Sequence, residues 1–167
     1  TFCSEWLVEN SEGELVTPVS TSPENAYLMP DGISASVCEG STMDIAIIRS
    51  LFSNTINASK ILQTDPLFCA ELTQKVNKLK KYQIGSKGQL LEWDKEYMEN
   101  EPQHRHVSHL FGLYPGCDIT DNTPELFDAA RKSLNARGNK TTGWSMAWKI
   151  SLWSRLYDSL KAYEALS

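Results

Sequence analysis

Apolar residues recur at helical spacing in several long stretches of the chain, and between them the period is lost. Ser41-Thr42-Met43-Asp44 has the form of a capping box, with Asp in place of the usual Glu or Gln. It opens the strongest periodic stretch. Met43, Ile47, Leu51, Ile61 and Leu62 fall close to one stripe, with Ile48, Phe52 and Ile56 beside it. Asp65-Pro66 reads as an N-cap followed by a first-turn proline, and the helix after it carries Leu67, Leu72, Val76 and Leu79. Thr123-Pro124-Glu125 repeats that start, for a helix through Leu126, Ala129, Ala130 and Leu134 that Gly138 is suited to stop. Trp144 to Leu156 is the next helix, with Trp144, Trp148 and Leu152 on one face and Ala147 and Leu156 near it. Asp158 is placed to cap a last piece, Leu160 to Leu166, and Phe2 to Val8 reads as a helix end.

The connections are long and irregular. Leu15 to Val37 has no helical period, carries Pro18, Pro23, Pro30 and Gly32, and is rich in Ser and Thr. It reads as one long loop, and ordered loops of that length in a compact domain are usually functional. "IGSKGQLLEW", Ile84 to Trp93, is a turn with a short extended piece, followed by a polar, acidic stretch from Asp94 to Glu101. No period-two pattern persists beyond a few residues. These elements predict an all-α fold of antiparallel helix pairs joined by long functional loops.

Composition narrows the function classes. The 167 residues are 41% hydrophobic and 22% charged, ordinary for a globular domain with a real core. A net charge of −5 argues against a nucleic-acid partner. No apolar run approaches the roughly 18 residues of a membrane span. The four cysteines, Cys3, Cys38, Cys69 and Cys117, are widely spaced and contain no C-x-x-C, which disfavours a zinc site; buried free thiols are favoured over a disulfide, which stays open. Two sequons, at Asn57 and Asn139, tilt the reading toward a secreted glycoprotein.

Three stretches carry candidate chemistry. All three histidines, His104, His106 and His109, fall within six residues, with Arg105 between two of them. Their spacing suits neither one helix face nor one side of an extended segment, which disfavours a metal site. Packed structural histidines and a polar wall that fixes ligand hydroxyl groups are both open. In "STSPENAY", Ser20 to Tyr27, Glu24 follows Pro23. It is either a solvated turn residue or a carboxylate on a rigid loop, suited to donating a proton. In "RGNKTTGWSMAW", Arg137 to Trp148, loop polar groups run into a tryptophan-bearing helix start, which fits core packing and sugar stacking alike. Asp44 and Glu92 read as a cap and a surface acid. No P-loop, G-x-S-x-G, G-x-G-x-x-G or H-E-x-x-H occurs.

Taken in order, "TSPENAYL", "STMDIAIIRSLF", "QIGSKGQLLEWDKEY", "HRHVSHLFGLYPG", "TPELFDAARKSL" and "RGNKTTGWSMAWKISLWSRLYD" resemble the catalytic domain of glycoside hydrolase family 95, in its plant α-L-fucosidase 2 type. The resemblance covers essentially the whole chain. It implies that residues 1–167 are a consecutive part of an (α/α)6 toroid, with the flanking β domains and other helices lying elsewhere in a longer protein. It implies an inverting, exo-acting α-L-fucosidase that releases terminal α-1,2-linked L-fucose from an oligosaccharide or glycoprotein glycan. No cofactor, metal, nucleic acid or membrane is implied. The expected location is extracellular, in the apoplast or cell wall for a plant protein. Matched position by position, Glu24 takes the place of the general acid. Asn25, Arg105, His106 and Trp144 fall on segments that contact the sugar. The family's water-activating asparagines and supporting aspartate lie in strings that do not occur here. A catalytically incomplete remnant that at most binds glycans is the alternative.

Overall fold

The computed structural model describes all 167 residues, Thr1–Ser167. Six helices dominate: α1 (Phe2–Trp6), α2 (Thr42–Leu62), α3 (Pro66–Lys78), α4 (Pro124–Arg137), α5 (Gly143–Arg155) and α6 (Ser159–Leu166). The expectation of an all-α part-toroid is corrected by seven strands, so the fold is mixed α and β. β1 (Val8–Glu9) pairs with β2 (Leu15–Val16), and β3 (Ser20–Thr21) with β6 (Val37–Cys38). β4 (Tyr27–Leu28) pairs with both β5 (Ser34–Ala35) and β7 (Met98–Glu99), and every pairing is antiparallel. Each strand is two residues long. Two residues cannot display an alternating pattern, so backbone pairing, not side-chain period, makes these ribbons. The stretch expected to be one long loop is therefore folded on itself. Its last ribbon is completed by β7, from the acidic stretch about seventy residues on.

The helix starts follow the capping logic with one change. Ser41 Oγ accepts from the Asp44 amide, but Asp44 does not reach back to Ser41. Instead Ser20 Oγ accepts from the Ser41 amide and donates to Asp44 Oδ2 at 2.6 Å. The folded loop is thereby bonded to the start of α2. Asp158 caps α6 as expected, whereas Asp65 sits at the N-cap of α3 without a side-chain bond.

Two main cores result. Ile45, Ile48, Phe52 and Ile56 of α2 pack with Leu7, Leu72 and Leu79. The stripe expected to lead this face is outside it: Ile47, Leu51, Ile61 and Leu62 are exposed, Ile61 by 80%. α2 carries two neighbouring apolar stripes, and in this chain the second one is covered. A larger core joins Leu90, Val107, Leu110, Leu113 and Ile119 to Ala129, Ala130 and Leu134 of α4 and Leu152, Trp153 and Leu156 of α5. A third, small cluster of Tyr27, Cys38 and Trp93 lies under the ribbons. Burial and the nearby Asp94 push the Cys38 thiol up to about 12, and none of the four cysteines is paired. No helix is long and apolar enough to cross a membrane.

Candidate functional site

The site is built around a turn. The Asn25 amide donates to the Ser22 carbonyl at 3.1 Å, closing a four-residue turn over Pro23 and Glu24. Glu24 has φ of 54°, in the left-handed region. Proline second and positive φ third are the marks of a type II turn, whose third position normally takes Gly or Asn. A glutamate there costs on the order of 1–3 kcal/mol and persists only if the surroundings over-determine it.

The surroundings do. His106 Nδ1 lies 2.8 Å from the Pro23 carbonyl, which can only accept, so this ring nitrogen carries the hydrogen. That carbonyl belongs to the central peptide of the turn, whose orientation separates type II from type I. The other His106 nitrogen, Nε2, faces Glu24 Oε2 at 3.5 Å, and Arg105 donates to the same oxygen. Trp144 sets its ring edge-on to His106 with centroids 4.9 Å apart, and its indole is half-exposed. Ser145, next in α5, donates to the Arg105 carbonyl and so fastens the start of that helix to the histidine segment. Glu24, Arg105, His106 and Trp144 thus meet at one surface, although they come from three parts of the chain.

Asn25, expected to touch the sugar, faces inward instead. It is 2% exposed, and its Nδ2 donates to both oxygens of Glu92 at 3.1 and 3.2 Å. Sequence reasoning placed Glu92 on the surface; it is 4% exposed. Its carboxylate also accepts from Ser22 Oγ and from Arg137 Nη2. Arg137, equally buried, donates further to Glu99 and to the Pro102 carbonyl. His109 Nδ1 stands 3.6 Å from Glu92, beyond hydrogen-bond distance. Burial and the adjacent Arg137 hold His109 well below the usual histidine range, so it is neutral. Nothing in "LLEW" itself marked Glu92 as buried: an acid goes inside only when it is paired, and its partners Ser22, Asn25 and Arg137 lie 45 to 70 residues away in the chain. Arg137 opens a stretch read as loop polar groups, and nothing in its local sequence marked it as buried.

The three histidines have three different roles. His104 accepts the His106 amide hydrogen at Nδ1, 3.1 Å away, and so shapes the segment. Burial, then the neighbouring His106, lowers its affinity for a proton. His106 holds the turn, and His109 packs beside the buried ion pair. No group of three or more His, Cys, Asp or Glu is arranged to hold a metal ion. Behind the site, Lys149 of α5 is fully buried and donates to the Gly138 carbonyl at 2.8 Å, at the end of α4. Burial, then Arg137, brings its ammonium down to about 8.

A turn-borne carboxylate beside a guanidinium, an imidazole and a half-exposed indole is an arrangement suited to carbohydrate, whose hydroxyls need donors and whose ring faces stack on aromatics. Residues 1–167 match the family model described as Glycosyl hydrolase family 95 catalytic domain, and the chain belongs to that family. It is 42% identical over 168 residues to Alpha-L-fucosidase 2 of Arabidopsis thaliana, covering 99% of this chain and 20% of that protein. It is 29% identical to Probable alpha-fucosidase A of Aspergillus oryzae, covering 92% of this chain and 22% of that protein. The Aspergillus niger protein of the same name is 30% identical, covering 93% of this chain and 20% of its own length. The chain therefore spans about a fifth of the relatives it matches.

Proposed function

We propose that this chain is the general-acid portion of the catalytic domain of an inverting α-L-fucosidase that removes terminal α-1,2-linked L-fucose from glycans. The observation that carries the reading is the meeting of Glu24 with Arg105 and His106, from segments about eighty residues apart, on an exposed surface beside Trp144. Glu24 gives its proton to the glycosidic oxygen as the bond to the anomeric carbon breaks. A water attacks that carbon from the opposite face and passes its own proton to a base. Residues beyond these 167 supply that base, so the chain alone releases no fucose. Sugar hydroxyls compete with Glu24 for the N–H groups of Arg105, and their arrival frees the carboxyl for the leaving group. Trp144 offers the sugar an apolar face. Asn25 acts from behind, through the turn. The exposed sequons at Asn57 and Asn139 support a secreted protein, in keeping with an extracellular glycan substrate.

The test is the full-length protein on 2′-fucosyllactose, with Glu24→Gln alongside. The variant should lose about 100- to 10,000-fold in kcat, and β-fucose should be the first anomer seen by NMR. A variant at the wild-type rate removes Glu24 from the acid role, and α-fucose as first product removes inversion.

A further inference from the structure

We infer that Glu92 is a positioning residue for Glu24: its buried carboxylate clamps both ends of the turn that aims the acid outward. This rests on the acid role of Glu24 proposed above. The first residue of the turn, Ser22, bonds Glu92 through its hydroxyl, and the last, Asn25, through its side-chain amide. Both are almost fully buried, at 1% and 2% exposure. Glu24 lies between them, in a backbone conformation that glutamate does not choose by itself. The side chain of Glu24 is 62% exposed, with Arg105 and His106 as its charged partners, so solvent screens these contacts and they hold the turn only weakly. The clamp holds it, because one carboxylate offers about four acceptor sites and here two oxygens serve Ser22, Asn25 and Arg137 together.

Arg137 pairs with Glu92 and fixes it in place. It is anchored in turn to Glu99, at the edge of the ribbon that contains β4, and to the Pro102 carbonyl, just ahead of the histidine segment. The neutral His109 packs against the same oxygen of Glu92. The buried pair thus joins the turn carrying Glu24 to α4 and to the segment carrying Arg105 and His106. Its role is to keep the carboxyl at the distance and angle the leaving oxygen requires. A misplacement of about 1 Å at such a point costs roughly 100-fold in rate.

The experiment compares two substrates in the full-length protein: 2′-fucosyllactose, whose leaving group needs a proton, and α-L-fucosyl fluoride, whose leaving group does not. Glu92→Gln should lose about 100-fold in kcat on the oligosaccharide, with KM within about threefold, and keep the fluoride rate within about threefold. A partly unfolded enzyme would lose both rates equally, so equal losses overturn the proposal. Wild-type rates on both substrates overturn it as well. Ser22→Ala cuts one arm of the clamp and leaves the buried charges alone. It should show the same substrate split at about tenfold, and covers the case in which Glu92→Gln does not fold. Glu24→Gln is run in parallel. If it shows the split and the Glu92 and Ser22 variants do not, the acid role stands and the clamp is wrong. If Glu24→Gln shows no split, both fall.

Discussion

Removing Arg137 should cost far more than removing Arg137 and Glu92 together. Arg137 is 3% exposed, and its guanidinium meets Glu92, Glu99 and the Pro102 carbonyl. Arg137→Met keeps most of the aliphatic length and leaves Glu92 as an uncompensated buried anion. Breaking a buried pair from one side costs about 3–5 kcal/mol. The contact with Glu99, whose side chain is 33% exposed, adds little, because solvent screens it. The combined Glu92→Gln, Arg137→Met variant removes both charges. Its new amide can still accept from Ser22 and Asn25, and can donate toward His109 Nδ1, which has no partner in the wild type. Most of the loss should therefore return. Hydrogen exchange read by mass spectrometry on the full-length protein measures this locally. At about 1.4 kcal/mol per decade, peptides from α4 and from residues 20–28 should exchange about 100- to 4,000-fold faster in Arg137→Met. In the double variant they should lie within about tenfold of wild type. A single variant that exchanges within about fivefold of wild type, or a double variant as labile as the single, would show that the pair is not what holds these segments.

Two further outcomes follow from the same geometry. Position 24 holds a left-handed backbone, so Glu24→Val should open the 20–28 peptide about tenfold more readily than Glu24→Asn, which tolerates that region; equal exchange would mean the turn relaxes at no cost. Lys149, with its folded value lowered to about 8 against an unfolded value near 10.4, penalises the fold fully below pH 8. Between pH 8 and about 10.5 the unfolded state binds more protons, so this group's share of stability rises with pH. Lys149→Met removes the penalty, so the variant's advantage in thermal midpoint over wild type should be larger at pH 7.5 than at pH 9.5. An advantage independent of pH would mean that Lys149 is not held in an unfavourable charged state.

How much was legible in the sequence depended on whether the controlling interaction was local. Helix starts at Ser41, Pro66 and Pro124 were readable because caps and first-turn prolines act within a few residues. The buried face of α2 was displaced by one stripe because the choice between two apolar faces is made by what packs on the helix, not by the helix. The ribbons escaped notice because their pairing is carried by backbone groups, which every residue has. At the site, Glu24 and the histidine segment were recognisable as unusual strings. Glu92, Arg137 and Lys149 were not, since burial of a charge is decided by partners from other elements: Asn25 and Ser22 for the first, Glu99 and Pro102 for the second, the end of α4 for the third.

The same non-local interactions explain why a costly cluster of buried charges sits where an apolar core would be more stable. An apolar residue at position 92 could not hold Ser22 and Asn25 by hydrogen bonds, and only His106 would then oppose a flip of the turn's central peptide. A flipped turn would relieve the strain at Glu24 and turn its carboxyl away from Arg105 and His106. The ion pair of Glu92 and Arg137 therefore trades stability for one turn conformation. His106 contributes from the open side by gripping the Pro23 carbonyl. The aim of one exposed side chain is set from below by a buried charge and from above by an imidazole, and loss of either should leave a folded protein whose Glu24 carboxyl points the wrong way.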